Sequence, residues 1–179
     1  MTVAAEIELM LIEPSLEYEA EFLEMVNEFD DTGDDNYRNV PELATGDVAA
    51  YIARLHDQSR GIGLPPGRVP ATSYWLVRAD RTVLGASQLR HGLTPDLEHE
   101  GGHVGYRIRP SQRRKGYGTR LLALTLDKAR ERGMRRVLVT CDSDNLASAR
   151  IIQKNGGKLE NEVISVITGR LVSRYWVEL

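Results

Sequence analysis

A basic turn that contains two glycines lies between a predicted strand and a predicted helix, and it limits what this chain can fold into. The turn reads Arg113-Arg114-Lys115-Gly116-Tyr117-Gly118. At the start of a helix, backbone N–H groups without intrahelical acceptors converge, and the helix dipole attracts a phosphate to that place. Gly116 and Gly118 permit positive φ and close approach of the backbone, and the three cations add attraction. The turn therefore predicts a site for a phosphorylated cofactor.

The spacing of the glycines narrows the class of cofactor. A Walker-type loop requires G-x-x-x-x-G-K-[ST], which the chain lacks, and a dinucleotide fingerprint requires a glycine where Leu121 stands. The remaining pattern is R-x-x-G-x-G (Arg113, Gly116, Gly118), after a strand-like segment at 103–109. Because a basic glycine turn can also be a plain solvated loop, the pattern needs support from its neighbours.

The residues after the turn have the pattern of helix, strand and helix. Residues 118–132 carry apolar side chains at helical spacing, and Gly133 is a natural stop. Residues 136–141 form a short run typical of a buried strand. Residues 142–145 supply turn and N-cap side chains for a second helix at 146–154. The predicted order is strand, phosphate turn, helix, strand, helix.

This order and its motifs resemble the cofactor core of the GNAT acetyltransferase superfamily. The similarity covers 101–160, with R-x-x-G-x-G as the pyrophosphate loop and Asn145, Ser148 and 155–157 as an N-x-x-[AS] … G helix. Residues 88–106 are also similar to one branch of the superfamily, with an R-H-x-L … G-G-H-x-G-Y pattern and no assigned substrate. The resemblance implies an N-acetyltransferase that uses acetyl-CoA, without identifying the acceptor.

Composition excludes several other classes of protein. A net charge of −3 argues against nucleic acid as the main partner. One cysteine, Cys141, excludes an intramolecular disulfide and suits a reducing cytoplasm. Residues 1–10 lack the basic region of a signal peptide, and no apolar run reaches the ~20 residues of a membrane span. The acidic run 30–35 lacks calcium-loop spacing. We expect one cytoplasmic domain, 1–179, without a metal.

Outside the core, strands and helices follow an α+β order. Residues 61–70, rich in glycine and proline, are predicted to be a flexible loop that acts as a substrate lid. For the family, this order implies a mixed sheet of about seven strands, splayed between the fourth and fifth and flanked by about four helices. The predicted elements are a strand at 7–12, a helix capped by Ser15, a helix at about 47–58, and hairpins of 73–78 with 82–90 and 158–168 with 171–178.

The resemblance implies that an amine attacks the acetyl-CoA thioester directly within a ternary complex. The backbone of Tyr106, Arg107 and Ile108 would pair with the pantetheine amides, and one of these N–H groups would donate to the oxyanion. Asn145 would be a second pantetheine contact, with a plain N-cap as the alternative. The pyrophosphate would be bound by Arg113, Arg114, Lys115, Gly116, Tyr117, Gly118 and Thr119.

Removing a proton from the amine requires a base, because a lysine-like ammonium has a pKa of ~10.4. The family often has a glutamate early in the fourth strand, and this neighbourhood reads 98–103 here. His103 is the first candidate, since imidazole titrates near neutral pH, and Glu100 is the second. A histidine hydrogen-bonded within the sheet for structural reasons is an equal alternative.

The usual acid of the family is missing from its expected position. That acid is commonly a tyrosine seven residues beyond the asparagine, where this chain has Ile152. Ser148, one turn earlier on the same face, would hydrogen-bond the departing sulfur. A thiolate with a pKa of ~8.5 also leaves without an acid. Cys141 is interpreted as a small buried residue rather than a nucleophile.

Two other classes of function remain open, and the acceptor is a separate question. One is a non-catalytic CoA-binding sensor, which Ile152 favours, and the other is an acyltransferase that acts on a hydroxyl or thiol. The acceptor is expected to be a small-molecule or protein amine, and the chain a monomer or homodimer. The acidic run 30–35, with Glu98 and Glu100, favours a cationic amine, although acidic segments are usually only solvated. The loop at 61–70 and the hairpin around Gly169 are expected to border the acceptor cleft.

Overall fold

Four antiparallel strands form the first of two sheets in the computed structural model, which describes residues 8–33 and 36–179. These strands are β1 (Leu9–Ile12), β2 (Ala71–Arg78), β3 (Val83–Arg90) and β4 (Val104–Ile108), hydrogen-bonded in that order. The predicted hairpin corresponds to β2 and β3, and Arg78 N donates to Thr82 O at 3.0 Å where the turn closes. Ile7, predicted to lie in the first strand, is outside the described residues.

The second sheet is also antiparallel and lies beside the first. It consists of β5 (Arg136–Asp142), β6 (Lys158–Ile164) and β7 (Leu171–Glu178), with β7 in the middle. Within the described residues β4 and β5 share no ladder, but His103 N donates to Leu138 O at 2.7 Å. The seven strands are therefore splayed between the fourth and the fifth, which confirms the predicted fold class.

Six α-helices, rather than about four, lie in the described residues. They are α1 (Glu19–Asp31), α2 (Pro41–Ala44), α3 (Val48–Ser59), α4 (Pro95–His99), α5 (Tyr117–Glu131) and α6 (Leu146–Lys154). Ser15 caps a 3₁₀ turn at Leu16–Tyr18, and α1 begins only after that turn. The short α4 occupies residues that the sequence placed beside the fourth strand, because Thr94 caps it through Leu97 N at 3.2 Å and Pro95 follows.

One face of the first sheet is covered by α1 and α3. Phe22 of α1 is fully buried, and its ring stacks on Trp75 of β2 with centroids 4.4 Å apart. Tyr37 and Tyr51 pack against the same phenyl ring, each with centroids 5.6 Å away. These aromatic contacts hold the two helices on the sheet and form the hydrophobic core on this face.

The opposite face of the first sheet is covered by α5. Leu121, Leu122 and Leu126 of this helix are buried against the two sheets. Thr125 is buried as well, and its hydroxyl lies 2.7 Å from Ser87 Oγ and donates to the Leu121 carbonyl at 2.8 Å. Because this buried polar pair is satisfied, the helix can pack closely on β3.

Transmembrane helices and clusters of metal-ligating side chains are both absent from the described residues. Between 8 and 33 and between 36 and 179, each helix is too short or too polar for a transmembrane span. The same residues contain no group of three or more histidine, cysteine, aspartate or glutamate side chains arranged to hold a metal ion.

Candidate functional site

The predicted phosphate turn lies at the N-terminus of α5. The chain leaves a 3₁₀ turn at Pro110–Gln112 and passes through Arg114, with φ of 61°, and Gly116, with φ of 85°. The first amide bonded within the helix is that of Arg120, which donates to Gly116 O at 3.2 Å. The amides of 117–119 precede it and lie at the positive end of the helix dipole. This arrangement of backbone donors suits an anion.

The two glycines of the turn have different roles. Gly116 adopts positive φ, and a Cβ there would meet no atom within 4 Å. Gly118 does not adopt positive φ, and a Cβ there would lie 2.6 Å from Ile151 Cδ1 of α6. Gly118 therefore allows α5 and α6 to pack closely. Tyr117 is buried, so it can reach an anion in the turn only through its N–H.

The turn carries three cationic side chains, of which two form hydrogen bonds with neighbouring residues. Arg113 Nε donates to the Ile108 carbonyl at 3.1 Å, and Lys115 Nζ donates to Gln112 Oε1 at 3.2 Å. Arg114 is exposed. Their positive charge adds to that of the helix end, so the phosphate loop stays a prediction that this arrangement suits.

One backbone edge of β4 pairs with no other strand in the described residues, although the Ile108 carbonyl on this edge accepts Arg113 Nε. The strand bonds to β3 through its odd-numbered residues: Arg109 N donates to Leu84 O at 2.9 Å, and Arg90 N donates to His103 O at 2.7 Å. Because backbone groups alternate in direction along a strand, the N–H and C=O groups of Tyr106 and Ile108 face the gap before β5. The backbone groups of Arg107 point toward β3. Its side chain lies on the face of the sheet that α1 and α3 cover. The gap can accept an extended ligand as an added strand.

A junction of Gly102, His103 and Leu138 holds β4 and β5 together. Leu138 N donates to His103 Nδ1 at 2.9 Å, in addition to the bond from His103 N to Leu138 O. Gly102 has φ of 61°, and a Cβ there would lie 2.5 Å from the Leu138 carbonyl oxygen. Beyond this junction β4 and β5 share no ladder within the described residues, which leaves a gap between the two sheets.

The His103 ring is not placed as a free base. Burial, followed by the positive charges of Arg90 and Arg136, lowers the pKa of His103 to about 4. In the neutral ring Nδ1 accepts the Leu138 N–H, so Nε2 carries the proton and neither nitrogen has a free lone pair. This geometry favours the alternative of a structural histidine within the sheet.

A pH-dependent loss of stability is expected from His103. Its pKa is lowered from an ordinary 6.5 to about 4, so the unfolded chain binds more protons than the folded chain between these values. The free energy of unfolding should therefore fall as the pH decreases through this window, and His103 should cause no loss above it. Urea unfolding of the protein and of His103→Gln at several pH values would measure the effect. Equal slopes for the two proteins would contradict it.

Two hydroxyl groups meet at the N-terminus of α6. Asn145 Oδ1 caps the helix by accepting Ser148 N at 3.1 Å, so its side chain acts as an N-cap. Tyr106 Oη lies 2.7 Å from Ser148 Oγ, across the gap between the sheets. Burial raises the pKa of Tyr106 to about 12 and also raises the pKa of the Cys141 thiol. Ile152, which replaces the family's tyrosine, is fully buried.

A cleft of about 340 Å³ opens on the face of the first sheet that α1 and α3 cover. Tyr37 and Tyr51 form part of its wall, and Leu64, Pro65, Arg68 and Val69 come from the loop predicted as a substrate lid. The arginines that line it are Arg54, Arg68, Arg90 and Arg107. The cleft is therefore lined with positive charge.

The acidic residues expected to attract a cation lie elsewhere or outside the described residues. Asp30 lines a separate depression with Leu23 and Arg38, whereas Asp34 and Asp35 are outside the described residues. Glu98 is exposed on α4. Glu100 has one carboxylate oxygen buried without a hydrogen-bond partner in the part of the chain that is described. The described lining of the cleft includes neither a carboxylate nor a residue of the Gly169 hairpin.

Comparisons with known proteins identify the family and the fold of this chain. The sequence model of the GNAT acetyltransferase domain matches residues 9–158. The structure is similar to that of RimL, a ribosomal L7/L12 alpha-N-protein acetyltransferase in complex with coenzyme A, with 18% identity, a TM-score of 0.69, and coverage of 97% of this chain and 98% of that one. No curated protein sequence matches this chain at a significant level.

Two further solved structures have the same fold. The self-immunity acetyltransferase MccE for microcin C7, in complex with acetyl-CoA and AMP, is 15% identical with a TM-score of 0.70, covering 96% of this chain and 93% of that one. An acetyltransferase from Salmonella typhimurium that modifies the N-terminal serine of ribosomal protein L7/L12 is 16% identical with a TM-score of 0.68, covering 96% and 95%. At these identities the similarity shows the fold.

Proposed function

Since this chain belongs to the GNAT acetyltransferase family, we propose that it transfers an acetyl group from acetyl-CoA to an amine that attacks the thioester directly. The observation that carries the proposal is the R-x-x-G-x-G turn at the N-terminus of α5, beside the edge of β4 that pairs with no other strand in the described residues. An anion cradle and an unpaired strand edge together suit a ligand with a pyrophosphate and an amide-containing arm. RimL and MccE, which share the fold, bind CoA and acetyl-CoA.

In the proposed complex, each part of the donor has its own set of residues. The amides of 114–119 bind the pyrophosphate, and the exposed side chain of Arg114 neutralises part of its charge. The backbone of Tyr106 and Ile108 pairs with the pantetheine arm in the gap, and an N–H on this edge stabilises the oxyanion. Asn145 stands at the far side of the gap, where its amide nitrogen can donate to the arm while its oxygen caps α6.

For proton removal we propose Glu100 rather than His103. The lone pairs of His103 are engaged or protonated, whereas Glu100 retains a buried oxygen without a hydrogen-bond partner in the described residues. Residue 100 directly precedes the β4–β5 junction in the chain, and its carboxylate would accept the proton of the amine through a water molecule. The His103 ring then serves to hold the β4–β5 junction.

For the leaving group we propose the hydroxyl pair of Tyr106 and Ser148. With its pKa raised to about 12, Tyr106 stays protonated at neutral pH and is a weaker acid than a thiol of pKa ~8.5. The pair therefore stabilises the departing sulfur by hydrogen bonding rather than by complete proton transfer. Tyr106 would thus replace the family's tyrosine, whose position in α6 is occupied here by Ile152. Its phenol group belongs to β4 and reaches Ser148 at the start of α6.

Replacing Tyr106 with phenylalanine is expected to lower kcat by about tenfold, the value of one lost hydrogen bond of ~1 kcal/mol or slightly more. CoA affinity should be nearly unchanged, because the proposed contacts of residue 106 with the arm come from its backbone. Steady-state kinetics and calorimetry would measure both quantities. Tyr74→Phe, which alters another buried tyrosine on β2, is the matched control. An unchanged kcat in Tyr106→Phe would remove the hydroxyl pair from the mechanism.

The function itself is tested by thiol release from acetyl-CoA in the presence of amines, alcohols and thiols. Release with amines, and formation of the N-acetyl product by mass spectrometry, is the expected result. Release only with an alcohol or a thiol would assign the chain to a different class of acyltransferase. Tight CoA binding without release from any acceptor would favour a sensor, the function that Ile152 suggested.

A further inference from the structure

Four arginine side chains line the cleft on the α1 and α3 face, and they differ in how their charges are balanced. Arg54 forms a two-bond ion pair with Glu42, at 2.5 and 3.2 Å, so its charge is neutralised locally. Arg68, Arg90 and Arg107 form no ion pair with any carboxylate in residues 8–33 and 36–179. The described lining of the cleft therefore has an excess of positive charge.

The two guanidinium groups on the sheet are held in place by hydrogen bonds to backbone carbonyls. Arg90 Nη1 donates to Gly101 O at 3.0 Å and to Gly102 O at 2.9 Å, which leaves Nε and Nη2 without an acceptor in the described part of the protein. Arg107 Nη1 donates to Asn36 O at 3.0 Å, and its guanidinium lies over the Tyr37 ring, 4.9 Å from the centroid. Both cations are thus positioned before any ligand arrives.

Arg68 completes the group from the loop at the rim of the cleft. Burial, and then the positive charge of Arg68, lowers the pKa of Arg90, so the two guanidinium groups repel each other across the cleft. An anion between them would relieve this repulsion and bind to planar donors suited to carboxylate or phosphate. Because the cleft opens on the opposite face of the first sheet from α5, these arginines are separate from the phosphate turn.

The remaining walls define the size and character of the ligand. At about 340 Å³, the cleft is at the lower end of the range for small-molecule sites. Tyr51, Leu55 and Leu97 contribute apolar or aromatic surface, and Gln58 and Gln88 contribute polar groups. This combination suits a compact molecule with one anionic group and a short carbon skeleton.

We propose that the acceptor is a small amine that also carries a carboxylate or phosphate group, which Arg68, Arg90 and Arg107 bind. The inference rests on the proposed function, because it identifies the class of acceptor for the same reaction. It reverses the charge that the sequence suggested, since that expectation depended on acidic residues that do not line the described part of the cleft.

Acceptors that differ in one charge provide the kinetic test. Thiol release from acetyl-CoA would be measured with amino acids and with their amides, and with O-phosphoethanolamine and with ethanolamine. Putrescine would serve as the cationic comparison for both pairs. We expect kcat/KM to be at least about tenfold higher for the anionic member of a pair, the value of one charge-assisted hydrogen bond. The carboxylate and phosphate pairs distinguish the two forms of anion. Preferential turnover of putrescine or of the neutral amines would overturn the proposal and leave the transferase function intact.

Substitution of Arg68 tests the site, because this exposed side chain can be removed with little risk to folding. Arg68→Ala should reduce the preference for the anionic acceptor about tenfold, mainly through KM. Arg130→Ala, on α5, removes the same charge outside the cleft and should retain the preference. An equal loss of preference in both variants would show that net charge, rather than this cleft, is responsible, and would overturn the proposal.

A binding measurement separates this inference from the proposed function. Calorimetry of O-phosphoethanolamine and of amino acids, with the protein saturated with CoA, should show binding that Arg68→Ala weakens about tenfold. If these anions bind but no amine is acetylated, the proposed function fails and the anion site stands. If neither O-phosphoethanolamine nor any amino acid binds, the anion site is refuted whatever the protein catalyses.

Discussion

Gly116→Asp is expected to lower the affinity for CoA roughly 100-fold, because the new carboxylate would stand where the pyrophosphate is proposed to bind. Two unit charges about 4 Å apart repel by ~4 kcal/mol at an effective dielectric constant of ~20, and partial screening by salt leaves roughly 100-fold in affinity. The residue has positive φ of 85° and open space around its Cβ position, so a side chain there reaches solvent without a clash. Isothermal calorimetry with CoA would measure the loss.

The matched control for this substitution is Gly116→Asn. Asparagine and aspartate have nearly the same shape, and both tolerate positive φ better than other residues with a side chain. The asparagine variant should therefore lose much less affinity than the aspartate variant, and the difference between them reports charge alone. Equal affinities in the two variants would be incompatible with pyrophosphate binding at this turn. Gly118 is a poorer site for the test, because any side chain there would meet Ile151 of α6.

Gly102→Ala is expected to lower the free energy of unfolding by about 2–5 kcal/mol. Positive φ in a residue with a Cβ costs ~1–2 kcal/mol, and overpacking adds ~1–3 kcal/mol. Here the added Cβ would lie 2.5 Å from the Leu138 carbonyl oxygen, a backbone atom that cannot turn aside. The substitution alters the junction of Gly102, His103 and Leu138, which joins the two sheets. Urea unfolding monitored by circular dichroism would measure the loss.

Gly105→Ala is the control, since this glycine lies three residues later, in β4, has no positive φ, and has no atom within 4 Å of its Cβ position. We expect a change of less than ~1 kcal/mol, because open space and ordinary strand geometry leave only the modest backbone difference between the two residues. If Gly102→Ala were as stable as Gly105→Ala, close packing of Gly102 against Leu138 would not be needed to join the two sheets.

Much of the cofactor core at 101–160 could be predicted from the sequence, because its motifs consist of residues that are close together in the chain. The turn at 113–118, the helix after it and the following strand are specified by residues adjacent in the chain, and their order corresponds to β4, α5 and β5. Local signals also misled at one point. Thr94 and Pro95 are an N-cap and a first-turn proline, but the polar segment that follows reads equally well as the approach to a strand. That segment forms α4, so Glu98 and His99 belong to a helix.

The cleft proposed for the acceptor could not be predicted in the same way, because the residues that line it are far from one another in the sequence. Arg68 lies in a loop, Arg90 at the end of β3 and Arg107 in β4, and only the folded sheet brings them to one cleft. Each alone has the appearance of an ordinary surface cation. The acidic run at 30–35 was conspicuous because it is continuous, yet continuity in sequence gave no information about which surface it would occupy. Likewise, the bond between His103 Nδ1 and Leu138 N depends on a partner that lies far along the chain.

The cleft and the phosphate turn lie on opposite faces of the first sheet, and the side chains of Arg107 and Tyr106 point to these two faces from adjacent positions in β4. On the proposed assignment, acceptor and donor therefore enter by separate routes and meet only at the gap beside this strand. Neither reactant obstructs the entrance of the other. On this assignment the architecture would impose no compulsory order of substrate addition, and the acetylated product would be able to depart before or after the free thiol.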